Sequence, residues 1–174
     1  MTGRARSVHA SAVLIGDRAV LIRGPSGAGK SHLAFDLILA GRAGLLPAAV
    51  LVGDDRVHLD TAGEQLWVRP APELAGRIEI RGLGIRRCEF TNAAVVGLVV
   101  DLAADDAERL PAPEALQTHL NGVLLPRIPV GAGFSPLPLV VAALMTTESS
   151  SFVNGQTDCL KGIDNHISPT IATK

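Results

Sequence analysis

The chain has few aromatic residues, few cysteines and no long apolar run. Only 3% of its 174 residues are aromatic and none is tyrosine, so no base-stacking surface for single-stranded nucleic acid is expected. The two cysteines, Cys88 and Cys159, form neither a CxxC pair nor a cluster with histidine, which argues against a disulfide framework and structural zinc. No segment reaches the roughly 18 apolar residues of a membrane-spanning helix.

The sequence also lacks an excess of either charge. It has 16 Lys and Arg against 17 Asp and Glu, a net charge of −1, whereas nucleic-acid-binding domains normally carry a basic excess. Hydrophobic residues make up 47%, enough for an aliphatic core. We therefore expect a soluble cytoplasmic protein with no nucleic-acid or membrane partner. Residues 1–145 should form one folded domain and residues 146–174 a polar, poorly ordered tail.

Short apolar strands alternate with a smaller number of helical segments. The pattern predicts strands over 8–15, 19–23, 50–52, 57–60, 65–68, 78–80 and 95–100, and helices over 30–40 and 139–145. A short helix is expected within 111–120 and a loop over 126–138. This alternation predicts an α/β fold built on a mixed β-sheet, with the continuous apolar run 95–100 as its central strand.

One glycine-rich segment lies between a predicted strand and a predicted helix. It fits the pattern G-x-x-x-x-G-K-[ST] in full, and its residues are Gly24, Pro25, Ser26, Gly27, Ala28, Gly29, Lys30 and Ser31. Glycines allow successive N–H groups to point at phosphate oxygens, and the following helix directs its N-terminus at the same anion. Lys30 should reach the terminal phosphates and the Ser31 hydroxyl should bind Mg²⁺. The segment therefore predicts a nucleoside triphosphate ligand.

Two pairs of adjacent aspartates occur in the chain. Asp54 and Asp55 follow a predicted buried strand, where P-loop proteins place a carboxylate beside the phosphates. One could join the Mg²⁺ shell while the other accepts a proton from an attacking hydroxyl. Asp105 and Asp106 lie in a polar stretch and are interpreted as a solvated loop.

Glu79 and His9 have two interpretations each from the residues alone. Glu79 stands between Ile78 and Ile80, so its side chain should face away from the two isoleucines, at an exposed or a functional position. His9 lies within the first predicted strand, where a lone histidine is more often structural than catalytic.

Ile78–Ile85, with the sequence Ile-Glu-Ile-Arg-Gly-Leu-Gly-Ile, closely resembles the signature of the HPr kinase/phosphorylase family. The glycine-rich segment, Asp54-Asp55-Arg56-Val57 and His9 follow the order found in that family. The likeness covers about residues 7–145 and is greatest to the short, single-domain form of alphaproteobacteria. It implies a P-loop fold similar to the catalytic core of phosphoenolpyruvate carboxykinases. It also implies that ATP and Mg²⁺ are used to phosphorylate a serine of HPr, the small carrier protein of the sugar phosphotransferase system.

The resemblance implies roles for individual residues. Asp54 corresponds to the proton acceptor, His9 to the histidine beside it, and Lys30 and Arg109 to the cations that offset phosphoryl charge. Ser31, Asp55 and Glu79 correspond to the metal-binding positions.

The sequence departs from the family in one loop. The family's P-V-x-P-G-R-N stretch is replaced by residues 129–135, Pro-Val-Gly-Ala-Gly-Phe-Ser, without the arginine and the asparagine. The reverse, phosphate-dependent reaction on phosphoserine therefore stays open. The expected partner is an HPr-like phosphocarrier, and homo-oligomer formation is also left open. Two alternative functions are a small-molecule phosphotransferase on the same fold and a non-enzymatic nucleotide sensor.

Overall fold

The computed structural model describes residues 6–147, which form eleven strands and two helices. The strands are β1 (Arg6–Val8), β2 (Ser11–Ile15), β3 (Arg18–Arg23), β4 (Ala49–Gly53), β5 (Val57–Ala62), β6 (Gln65–Pro70), β7 (Arg77–Ile80), β8 (Gly84–Arg87), β9 (Ala94–Leu102), β10 (Gln117–Leu120) and β11 (Val123–Val130). The helices are α1 (Lys30–Arg42) and α2 (Pro136–Met145), and short 3-10 turns lie at Pro72–Leu74 and Pro113–Leu116. Neither helix is long and apolar enough to cross a membrane.

Strand β9 is the centre of a nine-stranded mixed sheet. It pairs in parallel with β3 and β11, and antiparallel with β6 near its start. The remaining strands extend the sheet in the order β1-β5-β6-β9-β3-β2-β4, with β10 attached to β11. The apolar run 95–100 is central, as predicted, because a strand covered on both faces favours continuous aliphatic residues.

The sheet is curled. Strand β1 lies at one end of the strand order, whereas β2 lies next to the opposite end. Only His9 and Ala10 connect these two strands along the chain, so the Cα atoms of Val8 and Ser11 lie at most about 11 Å apart. The two ends of the sheet must therefore approach each other.

Two hydrophobic cores lie on the two faces of this curled sheet. Val20 and Ile22 of β3 face a core shared with α1 and α2, while Ala19 and Leu21 face a second core closed by β5 and β6. The alternation follows from the two-residue period of a strand. The β7–β8 hairpin forms a separate two-stranded sheet, and its buried Ile78 joins the helix-side core.

Three predictions from local pattern are wrong. The predicted strand 8–15 is divided at His9 and Ala10, because β1 pairs with β5 and β2 pairs with β3 and β4. Residues 111–120 form a 3-10 turn followed by β10 rather than a helix. The predicted loop 126–138 contains the second half of β11, which continues to Val130. Apart from Thr146 and Thr147, the predicted tail lies outside the described residues.

Candidate active site

The buried polar side chains of the described region converge on one place. Within residues 6–147 they are Ser11, Lys30 and Asp54, each less than 10% exposed. Burying such groups is unfavourable unless they are paired, so buried polar groups gathered at one place are candidates for function. Ser11 belongs to β2, Lys30 begins α1 and Asp54 follows β4.

The glycine-rich segment connects the end of β3 to the start of α1. Gly24, Gly27 and Gly29 have φ angles of 148°, 80° and 97°, values that favour glycine. The N-terminal residue Gly29 provides no side-chain cap, and the first turn of α1 contains no acidic residue. The amide groups of this helix start therefore have no carboxylate of their own to bind, which suits an external anion.

Lys30 lies within this loop rather than on the surface. Its Nζ donates hydrogen bonds to the carbonyl oxygens of Gly24 and Pro25, both at 3.0 Å. Burial lowers the pKa of Lys30, while the negative charges of Asp54 and Asp55 oppose that shift. The ammonium group of Lys30 is thus bound to backbone carbonyl oxygens of the glycine-rich loop.

Asp54 is the best-connected carboxylate of the site. Its Oδ1 accepts hydrogen bonds from the hydroxyls of Ser11 and Ser31, the latter at 2.9 Å. Its Oδ2 accepts the backbone N–H of Glu79 at 3.0 Å. One buried carboxylate therefore links β2, the start of α1, the end of β4 and the β7–β8 hairpin.

Two further acidic residues are connected to Asp54 through the backbone, since Asp55 follows it in the chain and the N–H of Glu79 donates to it. Asp55 adopts the left-handed region with a φ of 64°, and its exposed side chain lies 3.2 Å from His9 Nε2. Glu79 is exposed while Ile78 beside it is buried, which confirms the expected orientation of this strand. His9 lies in the connection between β1 and β2 rather than in the middle of a strand. This position brings its side chain to Asp55.

The structure does not bring Arg109 into this group. Arg109 lies in the exposed loop after β9 and makes no hydrogen bond or ion pair with another described residue. Asp106 of the same loop accepts a bidentate hydrogen bond from Arg127 of β11. The loop is therefore attached to the sheet through Asp106.

Ser11 was not predicted from the sequence. It is fully buried and donates to the same oxygen atom as Ser31. The available signal was a single hydroxyl in an otherwise apolar stretch two residues after His9. Nothing in that stretch indicates a partner 43 residues away.

The donor set fits Mg²⁺ better than a softer metal. Ser31, Asp55 and Glu79 offer a hydroxyl and two carboxylates, the hard oxygen ligands that Mg²⁺ prefers. Within residues 6–147 no three His, Cys, Asp or Glu side chains are arranged as a complete metal site. Mg²⁺ commonly uses one or two carboxylates together with substrate phosphates, so such a cage is not required.

The fold is mixed α/β, and a strand, a glycine-rich loop with Lys30 and Ser31, a helix and a following acidic pair are the features typical of a P-loop domain. The family model described as HPr Serine kinase C-terminal domain matches residues 2–157. The chain belongs to this family.

Curated relatives and a solved structure agree with that assignment. The chain is 32% identical over 164 residues to the HPr kinase/phosphorylase of Mycoplasma mycoides subsp. mycoides, covering 84% of this chain and 50% of that protein. It is 35% identical over 153 residues to the HPr kinase/phosphorylase of Streptococcus pneumoniae, covering 80% and 47% respectively.

The chain thus spans about half the length of these curated relatives. The structure of the HPr(Ser) kinase/phosphatase from Coxiella burnetii matches with a TM-score of 0.63 and 27% identity. This match covers 80% of this chain and 93% of that one. It confirms the expected mixed α/β fold.

Proposed function

We propose that this chain is an ATP- and Mg²⁺-dependent kinase that phosphorylates a serine of an HPr-like carrier protein in the cytoplasm. The single observation that carries the proposal is the 2.9 Å hydrogen bond from Ser31 Oγ to Asp54 Oδ1. It links the end of the phosphate-binding segment to a buried carboxylate, so an acceptor hydroxyl bound at Asp54 would lie next to the terminal phosphoryl group. The names of the relatives supply the acceptor class.

Each residue of the site has its own role in the proposed phosphoryl transfer. Lys30 and the amides at the start of α1 bind and orient the phosphates, offsetting their charge. Asp54 accepts the proton of the acceptor serine as its oxygen bonds to the γ-phosphorus and the bond between that phosphorus and the β–γ bridging oxygen breaks, which releases ADP. Ser11 and the Glu79 amide fix the carboxylate in place. Mg²⁺, when bound, neutralises phosphate charge.

Asp55 and Glu79 are proposed to hold this cation together with Ser31. Both carboxylates are exposed, so they can reach a ligand without the large cost of opening a buried pair. His9, 3.2 Å from Asp55, is proposed to orient that carboxylate. Arg109 is proposed to approach the phosphates from the loop after β9 when substrate binds.

The proposal is tested by incubating the chain with a purified HPr-type carrier, ATP and Mg²⁺ and measuring the intact mass of the carrier. One added phosphate on a serine is expected. Lys30→Met should abolish the mass shift because the phosphates lose their main cation. An unchanged carrier, together with ADP release that depends on a small molecule, would instead support the alternative small-molecule phosphotransferase.

The proton acceptor is tested by a matched set of variants. Asp54→Asn should lower kcat by about 10²–10³-fold or more while retaining ATP binding, since an amide cannot accept the proton. Asp55→Asn should mainly raise the Mg²⁺ concentration needed for half-maximal rate. Asp17→Asn, in the exposed turn between β2 and β3, serves as control and should leave both quantities unchanged.

A wild-type kcat in a folded Asp54→Asn protein would contradict the assignment of Asp54. Thermal melting of each variant is measured first, because Asp54 is buried and its replacement also affects stability. Phosphorolysis is tested separately by adding inorganic phosphate to the phosphorylated carrier and measuring pyrophosphate.

A further inference from the structure

A cavity of about 230 Å³ lies beside the glycine-rich loop. Gly27 and Ala28 of the loop form one wall, and Leu102 and Ala103 at the end of β9 form another. The segment 130–134, which leads from β11 towards α2, closes the third side. Gly27 and Ala28 belong to the proposed phosphate-binding segment, whereas Lys30, Asp54 and Glu79 do not line this cavity.

The lining is chemically different from the proposed phosphate site. It contains no charged side chain and offers aliphatic surface, one phenyl ring and the peptide groups of several glycines. The cationic Lys30 and the hydroxyl of Ser31 lie only two to four residues further along the chain. A molecule that crosses the loop would thus meet a cationic, hydrogen-bonding region at one end and an apolar cavity at the other.

We propose that this cavity binds the base and part of the sugar of the nucleoside triphosphate, with Phe134 as the aromatic side chain against which the base stacks. The inference rests on the proposed function, since it assigns the nucleoside end of the same ligand. The volume is below the roughly 300–1,000 Å³ of drug-sized ligand sites, which suits a single heterocycle with part of a ribose.

Phe134 is placed for this role by a tight turn. Its backbone N–H donates to the carbonyl oxygen of Gly131 at 3.2 Å, and its ring passes beside Gly131. Its side chain is 74% exposed. An exposed aromatic ring stands out here because only 3% of the residues of this chain are aromatic. A flat, solvent-facing ring at the edge of an apolar cavity is a suitable stacking partner for any base.

Calorimetry with ATP and with inorganic tripolyphosphate, both with Mg²⁺, separates the two ends of the ligand. The wild-type chain should bind ATP more tightly than tripolyphosphate. Phe134→Ala should lower ATP affinity about tenfold through the loss of stacking, and Ala132→Leu should lower it by obstructing the cavity. Tripolyphosphate affinity should remain unchanged in both variants. Leu45→Ala, which shortens an exposed leucine before β4, is the matched control.

Each outcome has a defined meaning. Equal affinity of the wild-type chain for ATP and tripolyphosphate, or ATP affinities in Phe134→Ala and Ala132→Leu equal to that of the control, would overturn the nucleoside site and leave the proposed kinase intact. Failure of the wild-type chain to bind either ligand would overturn the proposed function itself, and the nucleoside site with it.

Discussion

At Gly24 the backbone has a φ of 148°, and a Cβ atom there would lie 2.9 Å from the carbonyl oxygen of Leu102. Both conditions follow from the route of the chain, which leaves β3 and turns at once past the end of β9. Only glycine satisfies them without displacing backbone. The first glycine of the glycine-rich segment is therefore required by the fold itself.

Gly24→Ala should lower the free energy of unfolding by about 2 kcal/mol or more, because backbone strain and a backbone clash add together. Gly63→Ala provides the control: Gly63 has a φ of 60° but open space around its missing Cβ, so about 1 kcal/mol is expected. Urea unfolding measures both. Equal losses would show that the contact with Leu102 is relieved by a small shift of the chain.

At the scale of elements, Arg127 connects three parts of the molecule. It donates to Asp101 of β9, to Asp106 in the following loop and to the carbonyl oxygen of Ala115 in the 3-10 turn. Asp101 also receives a bidentate hydrogen bond from Arg23, the residue before Gly24. The loop that carries Arg109 is thereby joined to β3, the strand that precedes the glycine-rich segment.

This network perturbs the ionisation of its members. Burial acts to raise the pKa of Asp101, but the hydrogen bonds and charges of Arg23 and Arg127 outweigh burial and hold that pKa below its ordinary value of 3.8. The hydrogen bond from Arg127 likewise lowers the pKa of Asp106, and the same bond raises the pKa of Arg127.

Arg127→Met should destabilise the protein by about 1–3 kcal/mol near neutral pH, because a partly buried carboxylate loses one of its two partners. The matched control is Arg69→Met, since Arg69 is 56% exposed and pairs with Asp60 at 3.6 Å, an interaction worth about 0–1 kcal/mol. Free energies of unfolding from urea titrations measure the difference. Similar losses in the two variants would contradict a structural role for the network.

The pH dependence of stability has a definite sign. Because the folded pKa of Asp101 is depressed, its contribution is fully present above the unfolded value of about 3.8 and is lost as pH falls through the folded pKa. The wild-type free energy of unfolding should therefore fall in this acid window, and that of Arg127→Met should fall less steeply. Parallel curves for the two proteins would contradict the assignment.

At the scale of the whole molecule, the central strands β2, β3 and β9 serve two cores at once. Leu37 of α1 packs on one face of the sheet and Leu21 of β3 on the other, and both are fully buried. If these strands separate from one core, the apolar side chains of the other core are also exposed to water. We therefore expect the described domain to unfold as one unit.

Leu37→Ala and Leu21→Ala should each cost about 2–5 kcal/mol and leave a single transition. Fluorescence of Trp67, the sole tryptophan, reports on the β5–β6 side, whereas far-UV circular dichroism includes the helices on the opposite face. The two signals should coincide in both variants. Separate midpoints in either variant would show two independently unfolding parts.

The sequence by itself determined the local chemistry of this protein. Three features could be predicted because each depends on residues close together in the chain. They are the glycine-rich segment, the acidic pair after a buried strand and the orientation of Glu79. The central position of residues 95–100 could also be predicted, since a strand that is covered on both faces requires a continuous apolar run. Resemblance of Ile78–Ile85 to a known signature then gave the family, which the comparisons confirmed.

Only the tertiary structure decided what depends on distant partners. Ser11 and Asp54 are 43 residues apart, and Arg23 and Asp101 are 78 apart, so no local pattern indicates either contact. Strand β11 was missed because Pro126 and Pro129 lack the N–H that a central ladder uses, yet pairing with β9 and β10 still holds it extended. The division of the first strand at His9 arises in the same way, because the curl of the sheet assigns its two halves to different neighbours.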